Sequence, residues 1–201
     1  MIRLSHPLIF IRHGQTDWNR EGRLQGSQDI PINANGERQA RRNGVRLAEL
    51  MDEQDYTLSD FTFVASPLGR CLRTMGLVRE GVGLDPEDGF LRDDRLKEIT
   101  FGAWEGNTHG ELRKIDAHAV SRRETDKWGF VPPRGESYAM LSDRIAPWLE
   151  SLDRPTIAVS HGGVSRAVRG LLFDLPSDEV PMLDVPQDQL YLVADGQGFW
   201  L

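Results

Sequence analysis

Three places in the sequence set charged or reactive side chains directly after a run of strand-forming residues. Pro7-Leu8-Ile9-Phe10-Ile11 leads into Arg12-His13-Gly14, Thr156-Ile157-Ala158-Val159-Ser160 into His161-Gly162-Gly163, and Phe61-Thr62-Phe63-Val64-Ala65 into Ser66-Pro67 with Arg70 just beyond. Runs this apolar and β-branched read as buried strands. In open α/β sheets ligands gather at the carboxyl ends of the strands, and parallel strands bring those ends to one side. Arg12, His13, Arg70 and His161 are therefore expected to converge. A single histidine at a strand end would read as an ordinary satisfied side chain. Two imidazoles with two guanidiniums instead make a pocket for a compact dianion, because the arginine fork matches phosphate oxygens in geometry as well as charge.

The elements that must position these residues follow from periodicity. After a polar loop over residues 18–29, Asn33 is an N-cap for a helix whose apolar positions Ala40, Leu47, Ala48 and Met51 recur at three- and four-residue multiples, with Val45 flanking them. Ser66 at N-cap and Pro67 at N1 predict a helix over 68–78 with Arg70 in its first turn. Cys71 and Met75, four apart, share a face and read as core filler. Residues 85–94 are acidic and turn-rich, and 96–106 have no clean period, with two glycines, two aromatics and two glutamates in a shaped loop. Thr108 caps a short helix through Ile115, and the charged, aromatic stretch up to Arg134 reads as a lid. Residues 136–152 return to helical spacing, with Met140, Leu141, Ile145, Trp148 and Leu149 on one face and Pro147 expected to kink or restart the helix. A helix over 164–173 and a hairpin over 189–201 around Asp195-Gly196 complete the chain.

With 201 residues the chain is expected to be a single domain over 1–201, with a lid-like insertion around 104–135. A hydrophobic fraction of 39% with 27% charged residues is ordinary for a folded soluble protein. The formal net charge of −7 argues against nucleic acid or an anionic membrane as partner. The basic tract Glu37-Arg38-Gln39-Ala40-Arg41-Arg42 lies on the predicted helix and reads as a solvated face. No apolar run reaches membrane-spanning length, residues 1–6 lack the apolar core of a signal peptide, and the one cysteine, Cys71, cannot form an internal disulfide, so a cytoplasmic location is expected.

A further set of blocks stands in one order along almost the whole chain: residues 8–19 with Arg12-His13-Gly14, Leu24-Gln25-Gly26 with Asp29, Ser66-Pro67-Leu68 with Arg70, residues 96–106 with Glu98, Gly135-Glu136-Ser137, and Ser160-His161-Gly162-Gly163. That order resembles the histidine phosphatase superfamily, the phosphoglycerate-mutase-like proteins. The resemblance implies a three-layer α/β/α fold with a mostly parallel central sheet. It implies His13 as the nucleophile forming a phosphohistidine, Arg12 and Arg70 as clamps on the phosphoryl oxygens, His161 as a donor to those oxygens, and Glu98 as the acid and base. Asn19, Gln25, Gly26 and Gly162 match phosphate- or substrate-binding positions, with Thr16 a weaker candidate; for Asn19, Gln25 and Thr16 the alternative is hydrogen bonding within the loop. Glu105 is read as a surface or loop-stabilising carboxylate outside the catalytic set, and His6, His109 and His118, outside every block, as ordinary exposed histidines.

The implied activity is that of a phosphomonoesterase acting on a small phosphorylated metabolite, the alternative being a phosphoglycerate mutase-type phosphotransferase. The histidines lack close ligand spacing and the arginines supply the positive charge, so no metal is expected, and no cofactor unless the mutase alternative brings a bisphosphate primer. Mutases of the family carry a longer insertion than the 62 residues between Glu98 and His161. The Gly135-Glu136-Ser137 block also favours the phosphatase branch, which usually has another glycine where this chain has Arg134. Arg122-Arg123 followed by Val131-Pro132-Pro133 is similar to the mutases' substrate-binding segment, and a phosphoglycerate-like substrate is the implication; otherwise the pair is a solvated helix end.

Overall fold

The computed structural model describes residues 2–201, and among them six strands form one sheet. They are β1 (Leu8–Arg12), β2 (Thr62–Ala65), β3 (Leu91–Arg92), β4 (Thr156–Ser160), β5 (Leu190–Ala194) and β6 (Gln197–Trp200), in the spatial order β3-β2-β4-β1-β5-β6. β1 pairs parallel with β4, β4 with β2 and β2 with β3, while β5 and β6 run antiparallel on the other side. The two central strands are buried on both faces, which is why they read as continuous apolar runs. The outer strands end the sheet differently: β3 is only two residues long, and β6 alternates exposed and half-buried positions.

Helices cover both faces, giving the expected three layers. On one side Leu8, Phe10, Val64 and Ala158 pack against Leu141, Ile145, Val164 and Val168 of the helices α6 (Tyr138–Glu150) and α7 (Gly162–Phe173). On the other, Ile9, Ile11, Phe63, Ile157 and Val159 meet Leu47, Leu50, Cys71 and Met75 of α2 (Ala34–Glu53) and α3 (Gly69–Gly81). Between β1 and α2 lies the short helix α1 (Asp17–Glu21). The segment over residues 104–135 holds α4 (His109–Ile115), with Thr108 and Glu111 closing a capping box, and α5 (Ala117–Thr125), a helix the charge-rich sequence there did not announce. Trp104, Leu112 and Val120 form a small core of the segment's own, with Phe130 stacked on Trp104 at 5.3 Å between centroids.

Local chemistry departs from expectation in three places. α3 begins at Gly69 with Leu68 rather than Ser66 at its N-cap: Ser66 Oγ lies against His161 Nε2 and accepts only a long bond from the Leu68 amide, at 3.5 Å, while the Gly69 amide donates to Asp29 Oδ2, 3.0 Å away, from the loop after α1. Met140 is 47% exposed, not on the buried stripe of α6: Ser137 caps this helix through the Met140 amide, so Met140 sits on the outward side of its first turn. Pro147 does not restart α6, which runs on through it to Glu150: it falls in the last turn, and the carbonyl it leaves without a donor belongs to the exposed Asp143. The final hairpin matches its expectation, with Asp195 and Gly196 both at positive φ (51° and 73°), as a type I′ turn requires.

Arg134 also has positive φ, 62°, which gives a physical reason for the glycine usual at this position. The side chain is exposed and makes no ion pair among the described residues. Removing the Cβ relieves the left-handed strain and outweighs the added freedom of the unfolded chain. Arg134→Gly is therefore expected to stabilise the protein by about 1 kcal/mol and raise its melting midpoint by roughly 2–4 °C, read by thermal denaturation.

Candidate active site

The parallel pairing sets Arg12 opposite Ser160 and Ala65 opposite Val159. The ladder continues past the strands, with the His13 amide donating to Ser160 O at 2.9 Å and the Ser66 amide to Val159 O at 3.0 Å. Three strand ends are thereby locked side by side. His13 and His161, 3% and 0% exposed, meet edge to face with ring centroids 5.2 Å apart.

His13 Nδ1 lies 2.8 Å from Gly14 O. A carbonyl only accepts, so Nδ1 carries the proton and the lone pair is on Nε2. Burial, followed by the charges of Arg70 and Arg12, holds the His13 pKa well below its ordinary 6.5, so the ring is neutral. Arg12 Nη1 donates to Val185 O at 2.7 Å, whereas its Nε is buried without a hydrogen-bond partner. Arg70 donates to Gln28 O (2.6 Å) and Gly26 O (2.7 Å) through its two terminal nitrogens, and to His161 Nδ1 (3.3 Å) through Nε. Both guanidiniums are thus anchored chiefly on carbonyls, which fix them without neutralising them.

Glu98 reaches the site from the irregular loop. Its carboxylate accepts from the Ile99 amide at 3.0 Å and the Gly163 amide at 3.2 Å. Arg144 of α6 supports that loop by donating to Arg95 O and to Lys97 O, the latter at 3.0 Å, while pairing with Glu136. Close approach explains the second of the two glycines after His161, whereas the first is only slightly crowded. A Cβ on Gly162 would stand 3.3 Å from Arg12 Nε and 3.5 Å from Arg166 Nη1, and one on Gly163 would run into Glu98 Oε1.

His161 is placed differently from the expected phosphate donor. Its Nδ1 faces Arg70 Nε and its Nε2 lies 2.8 Å from Ser66 Oγ, so both ring nitrogens are occupied by protein. Burial, then Arg70, His13 and Arg12, lower its pKa well below 6.5. Asn19 and Gln25 turn toward each other and toward Thr16: Thr16 Oγ1 donates to Gln25 Oε1 at 2.7 Å, and Asn19 Oδ1 accepts from the Thr16 amide and from Gln187. These polar groups bind one another, and Gly26 contributes its carbonyl to Arg70. Glu105 accepts from Ser27, Gln28, Thr100 and Phe101, the loop-stabilising role read for it.

Several neighbours carried no sequence signal. Gln187 donates to His13 O at 3.0 Å, and Val185 and Gln187 lie in a turn-like stretch with no motif around them. Arg166 and Tyr138 adjoin Arg12 and Glu98 from α7 and α6. Arg123 lies over Phe101 at 5.6 Å, whereas Arg122 is exposed and lies over Phe130. His109 is half-buried beside Arg123 rather than exposed, and its pKa is lowered by desolvation. Trp104 belongs to the small core of residues 104–135 and Trp128 packs on the main core.

The family model of the histidine phosphatase superfamily, branch 1, matches residues 8–200. The chain belongs to this superfamily. Among histidine phosphatase relatives, a glucosyl-3-phosphoglycerate phosphatase of Mycolicibacterium vanbaalenii is 33% identical over 194 residues, covering 88% of this chain and 78% of that protein. The probable phosphoglycerate mutase GpmB of Escherichia coli is 33% identical over 209 residues, covering 96% and 87%. The crystal structure of the alpha-ribazole phosphatase from Shigella flexneri superposes with a TM-score of 0.79 at 26% identity, covering 97% of this chain and 94% of that one.

Two outcomes follow from the geometry of this histidine phosphatase site. Gly163→Ala keeps a good helix former in α7 but displaces Glu98, so turnover of phosphate esters with poor leaving groups is expected to fall ~100-fold, and that of p-nitrophenyl phosphate much less. In the unfolded chain both histidines take up protons at their ordinary 6.5, whereas folded His13 and His161 resist protonation to lower pH. The unfolded state therefore binds more protons below 6.5, and stability falls as pH drops, by up to about 1.4 kcal/mol per pH unit for each histidine. Urea unfolding at about pH 7.5 and about pH 5.5 measures this loss, which His161→Gln is expected to reduce.

Proposed function

We propose that the protein hydrolyses a small organic phosphomonoester through a phosphohistidine on His13. The observation that carries this reading is the neutral His13, proton on Nδ1 and lone pair on Nε2, set beside a buried Arg12 Nε with no protein partner. Nε2 attacks phosphorus as the bond to the ester oxygen breaks, with Arg12 and Arg70 balancing the charge on the phosphoryl oxygens. Glu98 gives its proton to the departing oxygen. Water then attacks phosphorus, its proton passes to Glu98, and the P–N bond breaks to release phosphate and restore His13. Relatives in the superfamily named as phosphatases support hydrolysis.

His13→Asn is expected to lower phosphate release from p-nitrophenyl phosphate ~10³-fold or more while leaving the fold intact. Wild-type enzyme quenched with labelled substrate should retain an acid-labile, alkali-stable phosphoryl group. The mutase alternative shares the first half-reaction. Rapid isomerisation of 3-phosphoglycerate in the presence of its bisphosphate, without free phosphate, would establish that alternative instead.

Charge around the pocket supports a substrate with a second anionic group. Arg123 and Arg166 have no ion-pair partner among the described residues, and both lie close to Tyr138, which with Arg12 adjoins Glu98. A phosphoryl dianion is matched by Arg12 and Arg70, which leaves this second pair uncompensated. The glucosyl-3-phosphoglycerate phosphatase relative agrees with such a substrate. Arg123→Gln is expected to lower kcat/KM for carboxylated phosphate esters ~10-fold or more, with little change for uncharged sugar phosphates of similar size.

A further inference from the structure

His161 and its surroundings contain more order than a phosphate donor needs. Its ring is fully buried and held at both nitrogens, by Arg70 Nε at 3.3 Å from Nδ1 and by Ser66 Oγ at 2.8 Å from Nε2. The guanidinium Nε–H can only donate, so Nδ1 must present a lone pair. A ring with a bare Nδ1 is neither the imidazolium nor the Nδ1–H tautomer, and its one proton is on Nε2. That proton has Ser66 Oγ as its acceptor. Cys71 Sγ, 3.4 Å from Nε2, is a much weaker one.

We propose that Ser66 is a positioning residue of the active site: by accepting the Nε2 proton of His161 it turns the Nδ1 lone pair toward Arg70 Nε, and so fixes the guanidinium beside the nucleophile. The proposal rests on the phosphoryl-transfer reading above. It goes beyond it in assigning a role to a hydroxyl that never reaches the substrate.

The arrangement explains features that are otherwise unrelated. Ser66 is 0% exposed, although it lies in a strand-to-helix turn where a serine would ordinarily cap the helix. The cap is supplied from elsewhere, by Asp29, and Asp29 lies in the same loop whose Gly26 and Gln28 carbonyls hold the other nitrogens of Arg70. Arg70 is thus fixed on three sides by Gly26, Gln28 and His161, and only the last of these depends on a tautomer. Without an acceptor at Nε2 the ring can shift its proton to Nδ1, and then two N–H groups confront each other across the Arg70 contact. Arg70 would be pushed from its place with the rest of the site intact.

The test begins with nitrogen-15 NMR of the histidine-labelled wild-type protein near neutral pH, with His161 assigned by the signal lost in His161→Gln. A protonated, pyrrole-type Nε2 and a bare, pyridine-type Nδ1 are expected. An Nδ1–H ring or an imidazolium would overturn the proposal. Ser66→Ala is expected to mix or reverse the tautomer and to lower kcat/KM ~10- to 100-fold, the loss typical of removing the partner that orients a functional histidine. Ser66→Thr, which keeps the hydroxyl, should restore both the NMR pattern and most of the rate. Equal losses in the two variants with the wild-type tautomer retained would also overturn it. Because the tautomer is read without turnover, a His13→Asn enzyme that stayed active would overturn the phosphohistidine reading and leave the His161 measurement standing.

Discussion

β1 and β4 lie side by side and parallel, with Arg12 opposite Ser160, and every functional side chain inherits that register. Shifting the pairing by one residue would exchange the two faces of a strand that is buried on both, and would move His13 away from His161. The amide of His13 extends the ladder by one bond, onto Ser160 O, before the chain turns at Gly14. β2 is registered on β4 in turn, so Ser66 and the start of α3 come to the same level. The active site is therefore the continuation of the sheet's hydrogen bonding beyond the point where the sheet itself stops.

The electrostatics depend on how the cations are held. Arg12 rests on Val185 O, and Arg70 on Gly26 O and Gln28 O; its nearest carboxylate oxygen is Asp29 Oδ1 at 4.0 Å. A close carboxylate pair would satisfy the same donors while cancelling the charge that an anion needs. Carbonyl anchors leave that charge in place. Its effect on the imidazoles is to disfavour their cationic form, which adds to burial in keeping His13 neutral. Cys71, buried beneath the same cluster, is pushed the other way, with desolvation raising its pKa far enough to leave an inert thiol.

Much of this was readable from the chain because strand ends carry their chemistry in adjacent letters. Leu8-Ile9-Phe10-Ile11 before Arg12-His13, and Thr156 to Ser160 before His161, place both histidines without any knowledge of the rest, and Asn33, Thr108 and Asp195-Gly196 mark their caps and turn by local rules. What was not readable depends on contacts between distant segments. Asp29 capping α3, Gln187 holding the His13 carbonyl and Arg144 steadying the Glu98 loop each join residues at least 40 positions apart. Ser66 was legible as a residue and misread in role, because a serine before a proline is a good helix cap in isolation and only the nearby imidazole makes it something else. α5 was hidden by its composition, since its single buried apolar residue, Val120, produces no stripe.

The small core within residues 104–135 changes what kind of appendage that segment is. Trp104, Leu112, Val120 and Phe130 satisfy one another above the sheet, and Arg23 ties the unit to the loop below through Gly106 O and Glu111. A segment with a core of its own can be recoded on its outer face with little repacking of the layers that hold the histidines. In this architecture the identity of the molecule admitted is an inheritable trait almost separate from the chemistry performed on it, and one scaffold can diversify its diet while its reactive centre stands still.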